Sequence, residues 1–201
     1  MDVESAVLPG CSLEGIQVVE LHGDDESELQ RFFEQAPGYF LAVNGEPATP
    51  TEARDELQGC LPPGWRCSRV YWIGYRDAEN QLVGVVNIAA DLLANGVWHI
   101  GLLLVHTRMQ GTGLAQQLHA DLQAWAAEKG AQWLRLTVVM GNTKAERFWP
   151  RLGYVQVRTR EGITMGRQVN TVSIQVKALA GGRVDEYLAL VERDRPFAPI
   201  H

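Results

Sequence analysis

Long hydrophobic runs, a surplus of basic residues and an even set of cysteines are all missing from this chain, and each absence removes a class of function. The longest apolar stretches, Val83 to Ile88 and Ile100 to Val105, fall far short of the roughly 20 residues that carry a helix across a bilayer, so no membrane role is expected. Met1-Asp2-Val3-Glu4 has neither the basic flank nor the apolar stretch of a secretory leader, and a cytoplasmic setting is the simplest expectation. Cys11, Cys60 and Cys67 are odd in number and lack C-x-x-C spacing, which predicts three reduced thiols and no metal site. Eighteen Lys and Arg oppose 24 Asp and Glu, a net charge of -6, and such a chain is a poor partner for nucleic acid, whose non-specific affinity comes from basic side chains on phosphates.

What is present is the balance of an ordinary folded domain: 201 residues, 46% hydrophobic and 21% charged. A chain of this length buries roughly 70% of its unfolded surface and needs no disulfide staple. A single domain over residues 1 to 201 is expected. The charge is unevenly spread. Residues 1 to 58 hold 13 acids against Arg31 and Arg54, a net of -11, whereas residues 106 to 154 hold six bases against Asp121, Glu128 and Glu146, a net of +3. Phosphates therefore belong near the second segment, and the first suits a cationic substrate.

Ile16 to Glu20 reads as a strand, and the helical spacing of Leu29, Phe32, Phe33 and Ala36 predicts a first helix that ends at Pro37-Gly38. Thr49-Pro50-Thr51-Glu52 has the hydroxyl, proline and carboxylate of a helix start, giving a second helix to about Gln58. Val70 to Tyr75, Leu82 to Ala90 and Val97 to Val105 predict three antiparallel strands, with Asn95-Gly96 as a hairpin signal. Leu114, Leu118, Leu122 and Trp125 then fix a long helix closed by Lys129-Gly130. Trp133 to Val139 reads as a strand, Asn142 to about Leu152 as a short helix, and Tyr154 to Arg160 and Val169 to Leu179 as a closing pair of strands. A last helix at Val184 to Val191 precedes a tail with Pro196 and Pro199. The sum is an α+β chain around a mixed sheet.

The chemistry concentrates between Ile100 and Ala115, where an apolar strand, a polar turn and Gln110-Gly111-Thr112-Gly113-Leu114-Ala115 lead into the long helix. Backbone N–H groups at a helix start have no internal partners and face the positive end of the dipole, so glycines there let an anion reach the bare backbone. A P-loop is excluded because no Lys-Ser or Lys-Thr follows the glycines, and a dinucleotide fingerprint because Gln116 stands at its third glycine.

The segment resembles the GNAT superfamily of acetyl-CoA-dependent N-acetyltransferases, whose pyrophosphate loop Gln110, Gly113 and Ala115 match; Arg108 with Gly111 and Gly113 is a second register. Asn142, Ala145, Phe148, Gly153 and Tyr154 match that family's spacing beyond the cofactor, and the resemblance covers residues 69 to 179. It implies a mostly antiparallel central sheet of about seven strands flanked by helices, with residues 180 to 201 as a C-terminal helix and tail. It further implies that the backbone of Leu103, Leu104 and Val105 pairs with pantetheine, that the amides of Gln110, Gly111, Thr112, Gly113, Leu114 and Ala115 hold the pyrophosphate, and that Asn142 and Phe148 contact the cofactor. Gly101 stands where the family carries a strand bulge. Arg108, Lys144 and Arg147 are candidate phosphate partners.

Such a transfer requires an amine to lose a proton, at about 4.6 kcal/mol for a group of pKa near 10.4 at pH 7. His99 is the first candidate for that base, because imidazole titrates near neutrality; Asp91 and Glu46 are weaker, and His106 and His119 peripheral. The N–H of Leu103 or Leu104 would meet the oxyanion. Where many relatives carry a Tyr acid the chain has Trp149, and Pro150 predicts an early end of that helix. Tyr39, Glu46 and Met165 are candidates for the acceptor pocket. The expected partners are acetyl-CoA and an amine acceptor, small and cationic, with a homodimer left open. The competing readings are a non-catalytic acyl-CoA-binding or sensing module and a purely structural domain.

Overall fold

In the computed structural model, which describes residues 7–198, seven strands form one sheet in the order β1-β2-β3-β4-β5-β7-β6. They are β1 (Gln17–Glu20), β2 (Arg69–Arg76), β3 (Leu82–Ala90), β4 (Val97–Val105), β5 (Trp133–Val139), β6 (Val155–Met165) and β7 (Gln168–Ala178). Only β4 and β5 run parallel, joined by the long helix α4 (Leu114–Glu128) as a crossover. The bounds of β3, β4 and β5 are those expected from their apolar, β-branched runs. The expectations for Met1 to Glu4 and for Pro199 lie outside the described residues.

Three apolar clusters hold the sheet. On one face, Leu114, Leu118, Leu122 and Trp125 of α4 pack on Val86, Ile88, Ile100 and Leu136, together with Trp149 of α5 (Thr143–Arg151). The segment before β1 also lies over α4, where Ser12 donates to Asp121 and the Trp125 indole to the Val7 carbonyl. On the other face, α1 (Glu26–Glu34), α2 (Pro37–Asn44) and α3 (Glu52–Leu57) cover Trp72, Val85, Leu102 and Leu104. Beside them α6 (Val184–Leu190) covers Val97, Trp133, Ile174 and Val176.

Three local expectations change. Pro37 begins α2 instead of ending the chain's first helical stretch, because a proline at the first helical position has its φ already set and no donor to lose. Pro150 lies inside α5, which runs on to Arg151; standing in the last turn it removes one bond only, and Leu152 and Gly153 close the helix onto Trp149 and Pro150. The β3–β4 connection spans residues 91–96 and is not a two-residue turn: Asp91, Leu93 and Gly96 adopt positive φ, and the Asp91 carboxylate accepts the Gly96 N–H at 2.7 Å.

Candidate active site

Strand β4 changes partner part-way along. Its first residues, Val97 to Ile100, pair with Trp133 to Leu136 of β5, and beyond Ile100 this pairing stops although both strands continue. On the β3 side the register passes from Asn87↔Leu102 to Ile88↔Ile100, leaving Gly101 as the extra residue of a bulge. One inserted residue reverses the alternation: Trp98 and Ile100 point toward α4, while Leu102 and Leu104 point toward α1–α3. A wedge therefore opens between Gly101–Val105 and Thr137–Val139, with one edge of β4 unpaired and able to receive an extended chain.

The wide end of that wedge meets the glycine loop. A 3-10 turn (Thr107–Met109) follows β4, Gly111 and Gly113 adopt φ of 81° and 89°, and Gly113 caps α4. A Cβ at either glycine would meet nothing within 4 Å, so both backbones face open space. Gln110 and Thr112 donate to the preceding turn and Leu114 to the Thr112 hydroxyl, whereas the amides of Gly111, Gly113, Ala115 and Gln116 have no backbone acceptor among the described residues. Four unpaired donors at the positive end of a helix of 15 residues are the arrangement that can receive an anion. Lys144 reaches over the loop from α5 to Gln110 Oε1 at 2.8 Å. Arg108 is held instead by Asp77 at 2.7 Å, and Arg147 is exposed without an ion pair among the described residues. Asn142 caps α5 through Ala145 N–H, and Phe148 is half-buried beside Trp149.

Through the wedge lies the face covered by α1–α3. Its floor holds Asn87, whose Oδ1 would be 2.5 Å from a Cβ on Gly101, and Thr137, exposed in the middle of β5. The tip of the β6–β7 hairpin bounds it: Arg167 N–H donates to Asn44 O, Gln168 and Asn170 donate to Leu41 O and Val43 O, and Arg167 pairs with Glu46 at 2.7 Å. Tyr39 borders α3, and desolvation, followed by the charges of Glu52 and Asp55, pushes the Glu56 carboxyl above the usual range although its side chain still reaches solvent.

The acetyltransferase (GNAT) family model matches residues 29–154, more than half of the chain. The chain belongs to the GNAT acetyltransferase family. Solved structures agree on the fold. An acetyltransferase from Thermus thermophilus superposes with a TM-score of 0.62 at 23% identity, covering 81% of this chain and 96% of the other. A spermidine N-acetyltransferase from Vibrio cholerae, in complex with CoA and spermine, gives 0.64 at 13% identity over 84% and 98% of the two chains. The ribosomal-protein-S18-alanine N-acetyltransferase from Escherichia coli gives 0.61 at 12% over 84% and 96%. No curated protein matches the chain.

As a GNAT acyltransferase the chain departs from expectation at His99. Arg135 Nη1 lies 3.1 Å from His99 Nδ1, and since a guanidinium can only donate, Nδ1 accepts and the proton sits on Nε2. Neither ring nitrogen is then free to take a proton. Burial first, and the Arg135 charge second, bring its pKa down to about 3, so His99 is a neutral acceptor of the Arg135 hydrogen bond and a poor base. Asp91 is occupied by Ser68 and Gly96, Glu46 by Arg167, and His119 is buried against the Tyr154 hydroxyl. Trp149, 8% exposed among His119, Phe148 and Tyr154, fills core space. Asn87 was missed by sequence reasoning, and its signal was available: a single polar side chain inside Leu82 to Ala90, a strand otherwise buried on both faces.

Proposed function

We propose that residues 1 to 201 act as one N-acetyltransferase domain that moves the acetyl group of acetyl-CoA to the primary amine of a small acceptor, which arrives as an ammonium ion and attacks directly. The observation that carries this reading is the junction of the unpaired β4 edge with the row of free amides at the start of α4. In it the backbone of Leu103, Leu104 and Val105 pairs with pantetheine as an added strand would. The free amides of Gly111, Gly113, Ala115 and Gln116 hold the diphosphate, while those of Gln110, Thr112 and Leu114, expected from the sequence to join them, are engaged within the loop; Lys144 supplies charge and Asn142 and Phe148 border the arm. A β4 amide, that of Leu103 or Leu104, meets the oxyanion, an interaction no side-chain substitution removes directly.

The ammonium proton leaves by water. Asn87, at the Gly101 bulge, orients that water, and Glu56, whose raised pKa brings a carboxylate closer to neutrality, is the acid on this face best suited to receive the proton. The acidic run from Glu20 to Glu56 favours the approach of a cation. The thiolate is a good leaving group, and a general acid contributes only about 10² to 10⁴ in rate, so Trp149 at the usual acid position is compatible with turnover.

The test is thiol release from acetyl-CoA over amines, amino acids, aminoglycosides and peptides, with Asn87→Ala expected to lower kcat about tenfold or more while calorimetric CoA affinity stays unchanged. Full activity of Asn87→Ala would refute its role. Trp149 and the occupied His99 favour one second reading, a non-catalytic acyl-CoA-binding module. CoA binding without turnover across the whole panel would establish it.

A further inference from the structure

On the acceptor face, next to the closed end of the wedge, lies a cluster of four guanidinium groups around one carboxylate. Arg135 on β5 is 2% exposed and forms a two-bond pair with Asp194, itself fully buried in the 3-10 turn Glu192–Asp194. The Tyr187 hydroxyl donates to the same carboxylate at 2.6 Å. Arg160, 9% exposed, reaches Asp194 at 3.5 Å. Arg158 donates to the carbonyls of Arg193 and Ala198, and Arg160 to that of Arg193. Arg193 stacks 4.2 Å from the centre of the Trp65 ring, which also lies 5.8 Å from Arg135. His99 is neutral, so it adds no further positive charge.

Two features of this cluster are unexplained by the docking of the C-terminal segment. First, among the described residues Asp194 pairs with Arg135 and Arg160 only, no acid pairs with Arg158 or Arg193, and one carboxylate cannot neutralise four cations. Second, the Nε atoms of Arg158, Arg160 and Arg193 are buried without a hydrogen-bond partner among the described residues; the backbone carbonyls engage only the terminal nitrogens of Arg158 and Arg160. Buried unmatched charge and unmade hydrogen bonds both oppose folding, which is the condition an anionic ligand relieves. Burial, and then the mutual repulsion of the group, hold Arg160 and Arg193 below the usual guanidinium range.

The register fixes where that ligand would lie. Arg135 is opposite His99, two residues or about 7 Å along β4 from Gly101. Arg158 pairs with Ile174, the partner of exposed Thr137, and Arg160 with Val172, the partner of Val139. Cross-strand partners share a face, so Arg158 and Arg160 stand beside the opened part of β5, two strand spacings or about 10 Å away. An arginine side chain spans much of that gap. Resting on the transferase reading above and narrowing its acceptor, we propose that Arg160 and Arg193, the members that still reach solvent, bind a carboxylate or phosphate carried by the acceptor, so that the preferred amine bears an anionic group a few bonds from its nitrogen and is not a polyamine.

Matched acceptors test this: lysine against cadaverine, and phosphoethanolamine against ethylamine, with kcat and KM separated for the native protein, Arg160→Gln and Arg193→Gln. The anion-bearing member of each pair should be favoured. Each variant should raise its KM about 10- to 100-fold, the loss of one charge-assisted hydrogen bond, while kcat, CoA affinity and the kinetics of the anion-free member stay unchanged. Preference for the carboxylate or the phosphate pair identifies the group. Where a variant melts early, competitive inhibition of the native enzyme by succinate or inorganic phosphate against the amine gives the same answer. Equal kcat/KM within both pairs, without such inhibition, would overturn the proposal. Absence of turnover with every amine would refute the transferase reading alone, because phosphate binding to the CoA-loaded protein, lost in Arg193→Gln, reads the cluster directly; no phosphate binding there would overturn it.

Discussion

Gly113 shows how much of the proposed donor site rests on single backbone positions. Its φ of 89° is one that side chains rarely adopt, and no neighbouring atom would touch a Cβ there. Gly113→Asp therefore adds about 1 to 2 kcal/mol of backbone strain and places a negative charge where the free amides receive one. The variant should remain folded by circular dichroism and lose CoA binding by at least 100-fold in calorimetry, near the sum of that charge and several hydrogen bonds. His99 gives the opposite kind of prediction. With Nδ1 engaged by Arg135 and Nε2 protonated, His99→Gln should leave the slope of the pH–rate profile between about pH 6 and 8 unchanged. A flattened slope would restore His99 as the base. The sequence alone could not reveal this, because a strand histidine beside Trp98 reads the same whether its neighbour across the sheet is a water or an arginine.

At the scale of elements, the bulge in β4 links packing to substrate access. A Cβ on Gly101 would fall 2.5 Å from Asn87 Oδ1, so Gly101→Val must displace Asn87 or restore regular pairing. The expected result is a melting free energy lowered by about 1 to 3 kcal/mol and a larger proportional loss in acetyl transfer than in CoA binding, measured side by side. The elements most legible in the sequence are those with a strong period or composition. The stripe Leu114, Leu118, Leu122 and Trp125 and the apolar runs of β3, β4 and β5 appear where expected. Helix α2 was hidden because Pro37-Gly38 reads as a stop and the segment to Asn44 has no amphipathic stripe. The loop proposed to hold the donor was legible because its free groups are backbone amides, announced by glycines. The face proposed to receive the acceptor is bordered by α2 and the hairpin tip, which are far apart in sequence and meet only in three dimensions.

For the whole molecule, the buried His119 and the half-buried His99 contribute to the response to acid. Burial and Arg135 lower His99 to about 3, and burial and Lys177 lower His119 to about 4. Both lie below the ordinary 6.5, so below that pH the unfolded chain binds more protons than the folded one and stability declines. The contribution of these groups is complete above about pH 6.5 and is lost progressively as pH falls toward 4 and then 3. Thermal melts across that range should show the fall, and His119→Gln should reduce its steepness. A native melting temperature independent of pH between 6.5 and 4 would contradict the lowered pKa of both rings.

The hairpin tip reaches α2 mainly through carbonyls, those of Leu41, Val43 and Asn44, with one ion pair outside them. Main-chain oxygens are present whatever side chain each residue carries, so the joint survives exchange of the side chains around it. Side-chain exchanges in α2 and at the tip should therefore reshape the face proposed for the acceptor while leaving this joint and the open margin of β4 in place.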